Sequence, residues 1–285
     1  FIAQFFGVAT PMQLMDLTRP DHPLLRFLLR NAPGTYQHSL QLANLAEQAA
    51  ERIGADPLLT RVGALYHDAG KAVNPAFFIE NQLPGMINPH DDLDPVTSAA
   101  TIIRHVQDGL ELARKYRLPS RVQDFISQHH GTMITSYQYV RSVEAAGGDK
   151  HKVDMEKFRY PGPRPQSRET AILMIADGCE ARVRAELPPG EDELRRLIRG
   201  VIDDRLNLGQ FDDTELTLKD LDLILDSFTA TLKGIYHPRV KYPTLDENSG
   251  KDDKAQAEVS GQLEVRTRPR PSPEPTLMEP VDHPS

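Results

Sequence analysis

A single cysteine, Cys179, stands in the 285 residues, so the chain can close no internal disulfide and build no cysteine-based zinc site. Asn-x-Ser/Thr acceptors are absent, and nothing calls for an oxidising compartment. Basic residues are outnumbered: 33 Lys and Arg against 41 Asp and Glu leave a net charge of −8. That balance excludes the broad basic face with which proteins grip nucleic-acid polymers, while leaving room for a small anion bound through metals. No run approaches the ~18 to 20 unbroken apolar residues of a membrane-spanning helix. Strand-type alternation is missing as well, and so is a dinucleotide-binding Gly-x-Gly-x-x-Gly motif. Gly63 to Lys71 only imitates a phosphate loop, because six residues separate its glycines and Ala72 replaces the Ser or Thr. No internal repeat with a period of roughly 20–50 residues occurs.

What is present is helical. Asp56-Pro57 and Asp94-Pro95 are start signals, a capping carboxylate followed by a ring pre-set for the first helical position. Apolar spacing predicts helices over 35–53, 57–68, 95–106, 107–117, 119–130, 133–145, 168–186, 191–206 and 217–236. The acidic run Glu191-Asp192-Glu193 fits the first turn of a helix with Arg195, Arg196 and Arg199 further along it. Past Tyr242 there are no aromatics, and six prolines lie between Pro269 and Pro284; such a segment buries too little apolar surface to offset its ordering entropy. The expectation is an all-α helical bundle over 19–243 and a disordered tail over 244–285. Residues 1–18 are expected to be a linker, with the apolar Phe1–Gly7 as the cut edge of a longer protein, since it lacks the basic start and cleavage pattern of a signal peptide.

Several of the ten histidines point at one place. His38 lies one turn before Leu42 and so projects from the buried stripe of its helix. His129 follows Phe125 by four and Ile126 by three, again on the core side. Asp177 stands in the apolar run Ala171–Asp177, where an unpaired carboxylate would cost several kcal/mol, and a cation would serve as its partner. His67-Asp68, just before Gly70, is placed where imidazole and carboxylate can converge on a metal beyond the helix end. A carboxylate can also bridge two ions, which lie ~3.5–4 Å apart in two-metal hydrolases, and Asp68 is the choice for that bridge.

The set His38, His67-Asp68 and Asp177 resembles the H…HD…D signature of the HD-domain metal-dependent phosphohydrolases. Longer stretches narrow the likeness: Pro33–Ser39, Tyr66–Lys71, Phe77–Gln82, Asn88–Asp91, Gln128–Thr132, Tyr160–Pro163 and Leu218–Leu221. Together they resemble the cytoplasmic HD domain of the seven-transmembrane HD proteins, the PgpH type of cyclic di-AMP phosphodiesterase, over roughly residues 5–243. The resemblance implies an HD-domain helical bundle with two divalent ions, Mn2+ or Fe2+. It puts His38, His67, Asp68 and Asp177 on one ion, and His105, His129 and His130, with bridging Asp68, on the other. It also implies hydrolysis of cyclic di-AMP to linear di-adenylate by a water activated between the metals, and transmembrane and sensor regions upstream in a membrane protein whose cytoplasmic part this is. Gly131-Thr132 after the histidine pair departs from the Gly-Tyr-Pro of the cyclic di-GMP-cleaving branch. Ala69 stands where relatives commonly carry Ile, and Gln37 where some have His.

Three residues past Asp68, Lys71 is a candidate acid or electrostatic stabiliser for the 3′-oxygen leaving group. Tyr137 and Tyr139 could wall an adenine and Arg164 could meet a phosphate; Phe77, Phe78 and Tyr160 are further aromatic candidates, and core packing is the commoner use of such rings. His22, His90, His151 and His237 are not expected to bind metal. Cys179 is expected to be a small buried residue and not a nucleophile. Two other functions are open on the residues alone: hydrolysis of another nucleotide, cyclic di-GMP or linear, and a catalytically silent nucleotide-binding regulator.

Overall fold

The structure is a computed structural model and describes residues 9–83 and 85–235; the expected tail 244–285 and His237 lie outside them. Among the described residues ten α-helices follow one another: α1 (Pro11–Leu17), α2 (Pro23–Asn31), α3 (Pro33–Ile53), α4 (Pro57–Tyr66), α5 (Pro95–Lys115), α6 (Ser120–Gln128), α7 (Ser136–Ala145), α8 (Arg168–Glu186), α9 (Glu191–Asn207) and α10 (Leu218–Ile235). Among the described residues there is no strand, only one isolated antiparallel bridge between Ile134 and Arg159. The all-helical expectation holds. None of the described helices is long and apolar enough to cross a membrane.

Starts and stops follow local chemistry. Proline opens five helices, α1 to α5, because its missing N–H is not needed in a first turn. Asp56 and Asp94 cap α4 and α5 by accepting from Leu59 N and from Val96 N and Thr97 N. Helix α3 stops at Gly54, whose φ of 69° is open to glycine at no steric cost.

Helices α3 and α8 form the middle of the bundle. Leu42, Leu45, Ala46 and Ala49 of α3 are fully buried, and in α8 every residue from Thr170 to Ala176 is buried. A helix apolar all round belongs inside a bundle, and α8 is packed by α3, α4, α6 and α9. Helix α6 lies on α4 with the Phe125 ring directly against Gly63, where a side chain would collide with it.

Four expectations are corrected. The break between 95–106 and 107–117 is absent: α5 runs unbroken to Lys115, and Gly109 inside it makes room for the Gly70 backbone crossing at that point. Helix α4 ends at Tyr66 and α6 at Gln128, so His67-Asp68 and His129-His130 lie just beyond helix ends. Residues 133–135 do not join α7, because Tyr160 N donates to Met133 O and Thr135 N to Phe158 O, both at 2.8 Å, drawing this segment into extended pairing. Helix α1 carries no counterpart in the expected set, and α2 none beyond a helix start at His22 beside Pro23. Helix α1 lies within the expected linker, yet Leu14 and Leu17 are buried in the main core and Leu17 O accepts the Tyr66 hydroxyl at 2.8 Å.

Candidate metal centre

The ends of α4 and α6 meet the flanks of α3, α5 and α8 at one buried point, and Asp68 stands at its middle. Its Oδ1 faces His105 Nε2 at 3.3 Å and His129 Nε2 at 3.5 Å. Its Oδ2 faces His67 Nε2 at 3.2 Å and His38 Nε2 at 3.8 Å. Two groups of donor atoms result, each gathered within 4.8 Å: Asp68, His105, His129 and His130 in one, and His38, His67 and Asp177 in the other. All seven residues expected to bind metal are brought together. Asp177 Oδ1 stands 3.2 Å from His38 Nε2.

Local structure sets the imidazole tautomers. His67 Nδ1 donates to Ala64 O at 2.7 Å, His105 Nδ1 to Ile102 O at 2.6 Å and His129 Nδ1 to Ile126 O at 2.9 Å. A carbonyl can only accept, so Nδ1 carries the proton and each Nε2 turns a bare lone pair toward Asp68. His38 is oriented differently: its Nδ1 lies 3.1 Å from Glu180 Oε2, the carboxylate–histidine arrangement that orients and strengthens a metal ligand. His130 stacks on Tyr160 with ring centres 4.2 Å apart.

These residues fit divalent ions on their own evidence. His67 Nε2 and Asp68 Oδ1 are buried without a hydrogen-bond partner, and the bare Nε2 atoms of His105 and His129 face each other at 3.3 Å. Lone pairs so opposed in a dry interior are costly, and a cation between them removes the cost. Mixed imidazole and carboxylate donors suit first-row divalent metals.

The charges are strongly coupled. Burial alone would raise Asp68, but the positive charge of Lys71 beside it helps hold its carboxyl well below the usual range. Asp177 is likewise held low against burial, by His38. Burial lowers His38, yet the Asp177 and Glu180 carboxylates outweigh it and push it up to about 9. For His129 and His130 burial wins, and both are lowered toward the neutral, metal-ready form.

Lys71 Nζ lies 2.8 Å from Asp68 Oδ2 and 3.0 Å from Glu80 Oε1. Against burial these two carboxylates raise its pKa, so the ammonium keeps its proton at neutral pH. Glu80 is fixed in turn: Thr35 Oγ1 donates to its Oε1 at 3.1 Å, and Asn81 ties the same loop to Thr35.

The expected substrate contacts are not gathered here. Tyr139 is packed against Phe158 in a satellite cluster with Ala99 and Val143. Tyr137 is 69% exposed with Arg141 beside its ring. Arg164 is tied to Asp212, Asp213 and Gly209 O. Phe78 and Tyr160 do touch the centre, both edge-on to His105. Phe77 packs on His90, whose Nε2 donates to Phe77 O and whose Nδ1 accepts from Ser98, so that histidine is a structural pin. His22 occupies the N-cap position of α2 without a side-chain capping bond, and His151 is exposed. Cys179 is buried, which pushes its thiol up to about 12.

Sequence reasoning missed Glu180 and gave Glu80 no role. Glu180 is three residues past Asp177 on the same buried helix, a spacing that puts both carboxylates on one face, and that signal was available. Glu180→Gln keeps the shape and removes the charge behind His38. We expect metal affinity at the His38, His67 and Asp177 group to fall about 10- to 100-fold, measured by competition with a chelator of known affinity. Unchanged resistance to the chelator would show that Glu180 does not support the ligand.

The HD-domain family profile matches residues 35–182. A cyclic-di-AMP phosphodiesterase PgpH of Bacillus subtilis is 47% identical over 243 residues, covering 85% of this chain and 34% of that protein. The PgpH of Listeria monocytogenes is 44% identical over 238 residues, 84% of this chain and 32% of that one. The chain thus spans about a third of the length of the curated relatives it matches. The crystal structure of the L. monocytogenes PgpH HD domain in complex with cyclic-di-AMP superposes with a TM-score of 0.72 at 44% identity, covering 76% of this chain and all of that one. With more than half its residues matched by the profile and a homologous domain of the same fold, the chain belongs to the HD-domain family and is a homologue of the PgpH proteins within it.

Proposed function

We propose that this domain is a metal-dependent phosphodiesterase that hydrolyses cyclic di-AMP to linear di-adenylate. One observation carries the reading: the two oxygens of Asp68 face two separate groups of donors, in a fold homologous to a domain crystallised with that nucleotide. His38, His67 and Asp177 would hold one divalent ion, His105, His129 and His130 the other, and Asp68 both. Such ions, Mn2+ or Fe2+, supply positive charge for the phosphodiester oxygens and lower the pKa of a water near neutrality. The chain's own residues do the rest. Nδ1 hydrogen bonds to helix carbonyls hold three imidazoles in one tautomer, and Glu180 orients a fourth. Lys71 keeps a permanent positive charge beside Asp68, which offsets negative charge gathering on the departing oxygen. In the balanced reaction water adds to phosphorus, the P–O3′ bond breaks, and the 3′ oxygen leaves with a proton.

The same reading makes this chain the cytoplasmic part of a longer membrane protein, with a sensor upstream. Its support is the motif likeness and the chain's span of about a third of its relatives' length. To test the activity, the purified chain is incubated with Mn2+ and cyclic di-AMP, with cyclic di-GMP in parallel, and the products are separated by chromatography. Linear di-adenylate formed in preference to the guanine product, and stopped by chelator, is expected. Metal bound without either product would transfer the reading to a different phosphate substrate. A protein that binds no metal but does bind nucleotide would be a regulator.

A further inference from the structure

Helix α8 carries a glycine in its interior, Gly178, next to the ligand Asp177. Glycine in a helix is unfavourable relative to alanine, and this one has a specific occupant. The guanidinium of Arg205, from the last turn of α9, lies against it, and a side chain at 178 would meet the Arg205 Nη2 and displace it. Arg205 is half-buried. Its Nε is shielded from solvent without a hydrogen-bond partner, and no ion pair or hydrogen bond to its guanidinium is found among the described residues.

The surrounding cations are engaged differently. Lys71 is held by Asp68 and Glu80, Arg104 by Asp108, Arg159 by Glu156, and Arg164 by Asp212 and Asp213. Burial depresses the Arg205 pKa, with the charge of Asp177 among the influences that oppose it. The arginine is also tied to the floor of the centre. Its backbone carbonyl accepts from Gln210 N at 3.0 Å, and Gln210 Oε1 accepts from Thr132 N at 3.0 Å, two residues past His130. A shielded Arg205 Nε without a partner and a helix glycine that admits the side chain are both unfavourable in the free protein. An anion arriving beside Asp177 would relieve the first and give the second a use.

A cyclic dinucleotide carries two phosphodiesters. The metal donors account for the one that is cut, and the other brings a second negative charge that needs a cation. We propose that Arg205 binds the non-scissile phosphate of the substrate and that Gly178 exists to admit it. The proposal rests on the phosphodiesterase reading above and assigns part of its specificity. Arg205 thereby favours substrates with two phosphates over those with one, since its donors are left unpaired by a single phosphodiester.

The test uses the metal-loaded chain and compares cyclic di-AMP with bis(4-nitrophenyl) phosphate, which has one phosphodiester. Arg205→Gln is expected to raise KM for cyclic di-AMP about 10- to 100-fold, with the fall in kcat smaller than the rise in KM. Its loss in kcat/KM against cyclic di-AMP should exceed its loss against the single diester at least tenfold. Arg205→Lys should recover part of that difference, because it restores the charge without the fork. Gly178→Ala, which displaces the guanidinium without removing it, should raise KM in the same direction. Equal losses on the two substrates would mean a purely structural arginine and overturn the proposal, as would no loss on either. If the unsubstituted chain cleaves the single diester but not cyclic di-AMP, the underlying reading fails and the proposal with it. Circular dichroism melting of Arg205→Lys separates either result from misfolding.

Discussion

Asp68→Ala will release both metal groups and reduce turnover by about 10^4-fold or more, while the far-ultraviolet circular dichroism stays helical. Among the described residues Asp68 faces both sets of donors, with Oδ1 toward His105 and His129 and Oδ2 toward His67 and His38. Removing it leaves two sets of three donors with no shared anion. It also leaves Lys71 paired with Glu80 alone. The metal-free fold should tolerate the change, because the residues on either side are held by helices α4 and α5 and by buried apolar contacts, not by the carboxylate. Atomic emission should find less metal bound per chain than in the unsubstituted protein at the same free concentration. His130→Ala is the informative comparison, since it touches one group and should weaken one ion. Equal metal content in Asp68→Ala and the parent, or turnover within tenfold of it, would remove the bridging role.

The second large effect is on stability. Gly70 closes the turn after Asp68, and an added Cβ would run into the carbonyl of His105 and the amide of Gly109 on α5. Both obstacles are backbone, so no rotamer change relieves them. Gly70→Ala is expected to destabilise the domain by about 3 kcal/mol, read as a fall in the denaturant midpoint with an unchanged slope. The same collision pushes α5 away from the Asp68 turn. His105 Nε2, 3.3 Å from Asp68 Oδ1, would be carried off with it, so metal affinity should fall too. A variant with the parent's midpoint would show that the turn can shift without cost.

Much of this protein could be read without coordinates, for identifiable reasons. The periodic helices α3, α8 and α10 fall within two residues of expectation because long apolar stripes with caps leave few alternatives. His38, His67, Asp68, His129 and Asp177 were legible because imidazoles and carboxylates on buried stripes and at helix ends require partners, and His105 and His130 came through the family resemblance. Where expectation failed, a contact between distant segments overrode local chemistry. Gly109 continues α5 because Gly70 crosses there. Met133 to Thr135 leave α7 because residues 158–160 pair with them. Arg164 is engaged by Asp212 and Asp213, far along the chain, and Tyr139 is packed with Phe158 in a satellite core.

By itself, then, the sequence determined an all-helical chain and residue types that must converge on a cation, which follow from periodicity, capping and the cost of burying charge, and through its motifs it showed the family it resembles. Tertiary structure alone decided which oxygen of Asp68 faces which imidazole, that Glu180 stands behind His38, that Lys71 is a paired and permanent cation, and that Arg205 lies unpaired on Gly178. Those are relations between segments brought together only by packing, and distances of 3 to 4 Å between them depend on how helices cross, which no local pattern in the chain encodes.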